Sequence, residues 1–254
     1  MTSLPQRESP EGKRVSLFVT CMVDALFPQT GISVVELLEH LGLQVDFPLA
    51  QTCCGQPGFN AGYWPEARQV AAQFIEAFEG AEVIVAPSGS CVAMVRHEYP
   101  RLFAADPIRL AQAERLASIT WELTEFLVDG LGITDINGRL AHPQTFAFHD
   151  ACHGLRLLGL GPAARTLIDN LENARVEELP GSDTCCGFGG LFSVKMASVS
   201  GAMLAKKMEQ IQGCPAQVLA GDVSCIMHMN GGLSRADSTS EVQHIADILA
   251  QSIK

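Results

Sequence analysis

The apolar positions of this chain switch between two periods. Residues 15–20 (VSLFVT) form a short β-rich apolar run, after which Val34, Val35, Leu38 and Leu41 recur at helical spacing. A second short run at 44–47 stops at Pro48, which has no N–H to give a strand ladder. A glycine-rich loop (Gly55, Gly58, Gly62) follows, and then a long helix whose apolar stripe is Val70, Ala71, Phe74, Ile75 and Phe78. Pro65 suits its first turn and Gly80 its stop. The run EVIVA at 82–86 reads as the next strand, and a further helix is expected over 120–131.

The same order recurs downstream. Residues 145–149 (TFAFH) read as a strand, and Ala164, Leu167, Ile168 and Leu171 as a helical stripe. A strand at 175–179 runs into Pro180, and a loop carries Gly187, Gly189 and Gly190. A helix at 194–211, the strand QVLA at 217–220 and a last helix at 241–253 complete the series. Asn137-Gly138 reads as the turn between the halves. The pattern predicts an α/β protein of two pseudo-equivalent repeats, with parallel strands flanked by helices. Its expected division is a flexible tail at 1–14, a first repeat at 15–138 and a second at 139–254. Repeats of this length are domain-sized units, far longer than solenoid repeats.

Composition narrows the function classes. The 254 residues are 47% hydrophobic and 18% charged, as suits doubly buried parallel strands. Lys+Arg 17 against Asp+Glu 28 leaves no basic footprint for nucleic acid or an anionic membrane. No run approaches the ~20 apolar residues of a membrane span. The opening MTSLPQRESPEGKR lacks the apolar stretch of a secretory signal, so a cytoplasmic location is expected.

In a reducing compartment, Cys 9 is too many for a disulfide framework. Spacing organises eight of them into two sets: Cys21, Cys53, Cys54 and Cys91, then Cys152, Cys185, Cys186 and Cys225. Intervals of 32 and 37 residues in the first set recur as 33 and 39 in the second. Thr52-Cys53-Cys54-Gly55 is repeated letter for letter at Thr184-Cys185-Cys186-Gly187, and Ser90-Cys91 at Ser224-Cys225. Each position falls just beyond an expected strand end, the edge where parallel α/β sheets bind ligands. Four thiolates brought from three loops form a soft cage for an iron–sulfur cluster or for zinc. A vicinal Cys-Cys pair hardly places both sulfurs on one small ion but reaches two irons of a cluster, which favours iron–sulfur. Nine thiols packed as small hydrophobes would not account for the duplicated spacing.

The doubled Cys, CCG, Cys pattern resembles the cysteine-rich (CCG) domain pair found in heterodisulfide reductase, in the glycolate oxidase iron–sulfur protein and in the lactate utilisation protein A family. The likeness runs from about Val15 to the last helix, and a chain with little besides the two repeats is most similar to the lactate utilisation protein A family. That resemblance implies a cytosolic electron-transfer component with one 4Fe-4S cluster per repeat. It also implies a ferredoxin-like iron–sulfur subunit and a further companion subunit as partners in oxidising L-lactate to pyruvate. The chain would then be an oxidoreductase subunit without its own substrate site. The full family pattern ends in Cys-x-x-Cys and gives five thiolates per site to a noncubane cluster, whereas here Ser88 and Asp222 stand at the first of that pair. A cubane cluster, a cluster with an oxygen ligand, and zinc in one site all stay open. Asp222 is a candidate ligand and Ser88 a weaker one, and turn-forming residues bonded to their own backbone are the equal alternative.

His149, Asp150 and His153 surround Cys152, and His153 is a weak further ligand candidate. An oriented structural histidine is the simpler reading there and at His228. Tyr63 and Trp64, just after the first CCG loop, have core packing as the default reading, with shielding of a cluster or facing a partner subunit as the alternative; Cys214 and the methionines from 196 to 208 read as packing. Gly187-Phe188-Gly189-Gly190 does not make a dinucleotide fingerprint, so a partner would supply any substrate site. The alternative to electron transfer is a non-redox, zinc-stabilised assembly subunit. Thiol–disulfide exchange through the vicinal pairs is weaker, because adjacent cysteines form a strained bridge.

Overall fold

The apolar runs become eight strands in two parallel four-stranded sheets. The computed structural model describes Arg7 and residues 9–254. The first sheet holds β1 (Val15–Leu17), β2 (Val45–Asp46), β3 (Val83–Ala86) and β4 (Thr120–Glu122) in the order β2-β1-β3-β4. The second holds β5 (Arg139–His149), β6 (Glu172–Glu177), β7 (Gln217–Ala220) and β8 (Val242–His244) in the matching order β6-β5-β7-β8. Every strand residue of β1 and β3 is buried, as a sheet with both faces covered requires. The expected α/β class with two repeated units is therefore what the chain forms.

Two expected helices start later than their periodicity suggested. Residues 120–122 and 242–244 form the fourth strand of each sheet, in register with β3 and β7. Helix begins only at Leu123 and Ile245. The switch is made by caps: the Glu122 carboxylate accepts the N–H groups of Thr124 and Glu125, and His244 Nδ1 accepts that of Ala246. A strand of three residues running straight into a capped helix leaves no alternation to recognise. The first repeat also inserts a helix at Pro107–Ile119, which Asp106 caps. At the expected turn between the halves, residues 132–138 run as irregular chain; Asn137 has a positive φ of 54° and its N–H donates to Asp135 Oδ1.

Part of the tail expected at 1–14 (residues 1–6 and 8) lies outside the described residues. Arg7, within it, pairs with Glu125 and lies 3.7 Å over the Trp121 ring. Each repeat has its own apolar core, and a third cluster joins them: Val34, Leu37 and Leu38 of the helix Pro28–His40 share it with Ile245, Ile248 and Leu249 of the helix Ile245–Ser252. Thr30 Oγ1 to Asp247 Oδ2 at 3.0 Å ties the same two helices together. At the sheet ends, Ser88 and Asp222, which occupy equivalent places in the two repeats, form an antiparallel bridge. This brings the C-terminal edges of both sheets face to face.

Candidate metal centre

Strands β2, β1 and β3 are neighbours, so the chain leaving their C-terminal ends delivers its cysteines to one place. Cys21 opens the helix Cys21–Leu26, Cys53 and Cys54 precede the helix Gln56–Asn60, and Cys91 lies in the first turns of the helix Gly89–Ala93. β6, β5 and β7 do the same for Cys185, Cys186, Cys152 and Cys225. The glycine of each CCG fixes the loop. Gly187 has φ 94°, and a Cβ there would lie 2.7 Å from the Ser200 carbonyl oxygen. Gly55 has φ 82° and presses on Val70 of the equivalent helix. The N–H of each glycine donates to the first sulfur of its pair, Gly55 to Cys53 and Gly187 to Cys185, both at 3.4 Å.

All nine cysteines are free thiols. Cys21 and Cys53 lie 3.5 Å apart through their sulfurs, Cys54 and Cys91 3.4 Å, and Cys186 and Cys225 3.1 Å. Each member of a vicinal pair thus meets a further cysteine besides its neighbour, Cys53 meeting Cys21 and Cys54 meeting Cys91. Cys54, Cys91, Cys186 and Cys225 are buried, whereas Cys21 is exposed. All eight line a single cleft of about 820 Å³, counted to its open mouth.

Crowding sets the protonation of these thiols. Cys54 is pushed well up by its contacts with Cys53 and Cys91 and then by burial, and Cys186 rises for the matching reasons. Cys21 and Cys152 rise because they donate to Cys53 and Cys185, and those two acceptors fall. Cys53 and Cys185 are thus favoured as thiolates over Cys21, Cys54, Cys152 and Cys186, and a bound cation would offset the repulsion that holds those four toward the thiol form. The sulfurs stand slightly closer than the ~3.8 Å expected between thiolates on one tetrahedral ion with ~2.3 Å bonds. Unbridged, convergent and soft, the donor set fits one zinc with little opening, and fits an iron–sulfur group if the sulfurs move farther apart.

The oxygen candidates are otherwise engaged. Asp222 caps the helix Val223–Arg235 through the Ser224 N–H, and its Oδ1 also accepts the Ser224 hydroxyl. Its Oδ2 accepts the Ser90 N–H at 2.9 Å and the Ser88 hydroxyl at 3.2 Å. Ser88 in turn caps the helix of Cys91. The turn-forming alternative describes both residues, with the addition that they bond each other across the two repeats. His153 lines the cleft, its Nδ1 3.6 Å from Cys152 Sγ. Asp150 is held by a bidentate ion pair with Arg165, both distances 2.9 Å. Cys214 packs beside the second core, away from the cleft. Tyr63 and Trp64, expected in a core, are half-exposed, with Trp64 stacked on Phe59.

Two side chains behind the second set carry more than sequence position revealed. His149 is fully buried, and neither ring nitrogen has a partner in full hydrogen-bond geometry; the Ser182 carbonyl, its one backbone neighbour of this kind, can only accept a ring N–H and leaves the lone pair of the other nitrogen unused. Burial, and then the charge of Lys207, pushes its pKa down to about 4. Lys207 is also fully buried and donates from Nζ to the Gly181 carbonyl at 2.7 Å. His149 stands three residues before Cys152, just as Phe18 stands three before Cys21. Matching the contacts of Gly187 with Ser200 and Met203 to those of Gly55 with Ala67 and Val70 places Lys207 opposite Phe74. The second repeat thus has a His–Lys pair where the first packs Phe18 edge-on against Phe74 at 4.8 Å. In sequence, nothing sets Lys207 apart from a solvent-facing lysine of an amphipathic helix; its equivalence to Phe74 in the first repeat does.

Comparison with known proteins agrees with the duplicated architecture. The cysteine-rich domain profile (CCG) matches residues 15–96 and 146–230. Lactate utilization protein A from an Exiguobacterium strain is 46% identical over 243 residues, spanning 94% of this chain and 98% of that one. The protein of that name from Bacillus pumilus is 46% identical over 237 residues, with 93% and 98% covered. Lactate utilization protein A 2 from a Bacillus cereus strain is 44% identical over 241 residues, with 94% and 99% covered. Among solved structures, a hypothetical protein from Helicobacter pylori shares the fold, with a TM-score of 0.58 and 11% identity over all of this chain. This chain spans 51% of that one.

Proposed function

The chain belongs to the cysteine-rich (CCG) domain family and, within it, to the lactate utilization protein A group, and from that premise we propose that it is an iron–sulfur electron-transfer component of a multi-subunit system oxidising L-lactate to pyruvate. The observation that carries the reading is that each vicinal pair links two further cysteines, Cys53 meeting Cys21 and Cys54 meeting Cys91, so that the four thiols of a set stand in one connected row. Such a row can spread over a group of several metal atoms once its sulfurs move apart. Cys21, Cys53, Cys54 and Cys91 would hold one group, and Cys152, Cys185, Cys186 and Cys225 the other, within the repeats 15–138 and 139–254. Such a cluster, when bound, takes up and passes on single electrons.

The protein's own residues bind and shield. The CCG glycines press both loops against their helices, and the buried sulfurs keep water from the inner side of each group. Cys21, exposed at the cleft mouth, marks the side on which a ferredoxin-like subunit or a further companion subunit would approach. The substrate site would lie in such a partner. We assign the chain to the cytoplasm; among the described residues no helix is long and apolar enough to cross a membrane.

Four thiolates per set also satisfy one tetrahedral zinc, which would make the chain a metal-stabilised assembly subunit. Anaerobic purification followed by iron, sulfide and zinc analysis separates the two. The expected result is iron and sulfide in both sets with a visible charge-transfer absorption. Stoichiometric zinc without iron would sink electron transfer and leave the scaffold.

A further inference from the structure

We propose that His149 is a ligand of the metal group held by the second cysteine set, so that the two centres of this protein differ in their donor atoms. The inference rests on metal binding by the cysteines, as argued above, and adds a donor outside both sets. A donor atom of His149 and the sulfurs of Cys186 and Cys225 all lie within 4.8 Å of one another, and all three residues are buried. An imidazole enclosed without exposure, with at most the Ser182 carbonyl to accept its N–H, is costly unless something at the site takes its lone pair. The neighbouring polar groups do not. Asp150 is satisfied by Arg165, Asp222 by Ser88, Ser90 and Ser224, and Lys207 donates to Gly181.

The first repeat supplies the internal control. At the equivalent place the same fold accepts Phe18 in van der Waals contact with Phe74, so the backbone itself has no need of a polar ring there. Only in the second repeat do both members of that pair become nitrogen bases. Imidazole nitrogen is a borderline donor that suits zinc and iron alike; on one tetrahedral ion it would take the place of one of the four thiolates. Where it does so, a neutral nitrogen in place of a thiolate lowers the net negative charge of the group, which makes it easier to reduce.

The test uses the full chain purified without oxygen, labelled with ¹⁵N-histidine, beside His149→Phe and the double variant His149→Phe/Lys207→Phe. The double variant rebuilds the pair that the first repeat already accommodates. Pulsed electron paramagnetic resonance of the iron-loaded protein should show a strongly coupled histidine nitrogen in one of its two centres. The coupling should fall several-fold in either variant while the other centre is unchanged. Iron-loaded wild-type protein with no such coupling overturns the His149 assignment and leaves the iron–sulfur reading standing. If the protein holds zinc instead, electron transfer falls, and cobalt substitution decides His149: ligand-field bands that shift in His149→Phe support it, and identical bands refute it. A chain that retains no metal under any loading overturns both.

Discussion

Replacing Asp222 with alanine removes one carboxylate addressed by four donors from both repeats. Asp222 is 1% exposed, and its partners are the Ser88 and Ser224 hydroxyls and the Ser90 and Ser224 N–H groups. Hydroxyls can turn to other acceptors; the two backbone donors cannot. Loss of the Ser224 cap costs about 1 kcal/mol. The Ser90 N–H, stranded beside buried sulfurs, costs about 1–3 kcal/mol more. The sum, about 2–4 kcal/mol, corresponds to a fall in Tm of roughly 5–10 °C for a chain of this size. Asparagine keeps one acceptor oxygen and should recover part of the loss. The assay is thermal denaturation by circular dichroism under anaerobic conditions, paired with elemental analysis of the folded protein. The expectation is a lower Tm at an unchanged metal-to-protein ratio. A variant that keeps its Tm but loses metal would refute the capping role and make Asp222 a ligand.

Cys54→Ser and Cys186→Ser should each remove about half of the bound metal, because each deletes one buried donor from one set only; metal analysis of the two single variants checks it. Loss of all metal from either would mean that the two sets load as one. Burial raises the Glu122 carboxyl from 4.5 to about 7, so between those values the folded protein holds a proton that the unfolded chain has released. Its contribution is therefore complete at low pH and disappears as pH rises through about 7, about 3 kcal/mol in all. Glu122→Gln should flatten this part of the Tm–pH profile and stabilise the protein at pH 8; an unchanged slope would contradict it.

What was legible in the sequence is what repeats or what is continuous. The eight cysteines could be sorted because their spacing recurs, and β1 and β3 because each is an unbroken buried run, with β7 buried in all but its first residue. β4 and β8 were read as helix, since three residues cannot show a two-residue period before Glu122 and His244 turn the chain. Tyr63 and Trp64 look like core residues in sequence, yet they follow a tight loop that leaves them at the surface. Asp222 offered a free carboxylate on paper. Its saturation depends on Ser88 and Ser90, more than 130 residues away, whose approach follows only from the two sheets meeting end to end.

The duplication has preserved what shapes the cage and released what lies behind it. Both repeats keep the left-handed CCG glycine, its N–H on the first sulfur of the pair, and a capped helix carrying the last cysteine. Behind those shared parts, the first set rests on Phe18, Phe74 and Tyr99, whose hydroxyl donates to the Cys54 carbonyl. The second rests on His149 and Lys207. A buried ammonium near Cys185, Cys186 and Cys225 favours added negative charge, so on the proposed reading an electron on a group held by the second set would be bound more strongly than one on the first. Lys207→Met keeps the length and apolar bulk of the side chain and removes only the charge. It should lower the reduction potential of the second centre by an amount on the order of tens of millivolts and leave the first where it is. Anaerobic redox titration of both centres in the intact chain measures it. Equal shifts in the two, or none, would mean that the asymmetry behind the sulfurs has no bearing on where the electron resides.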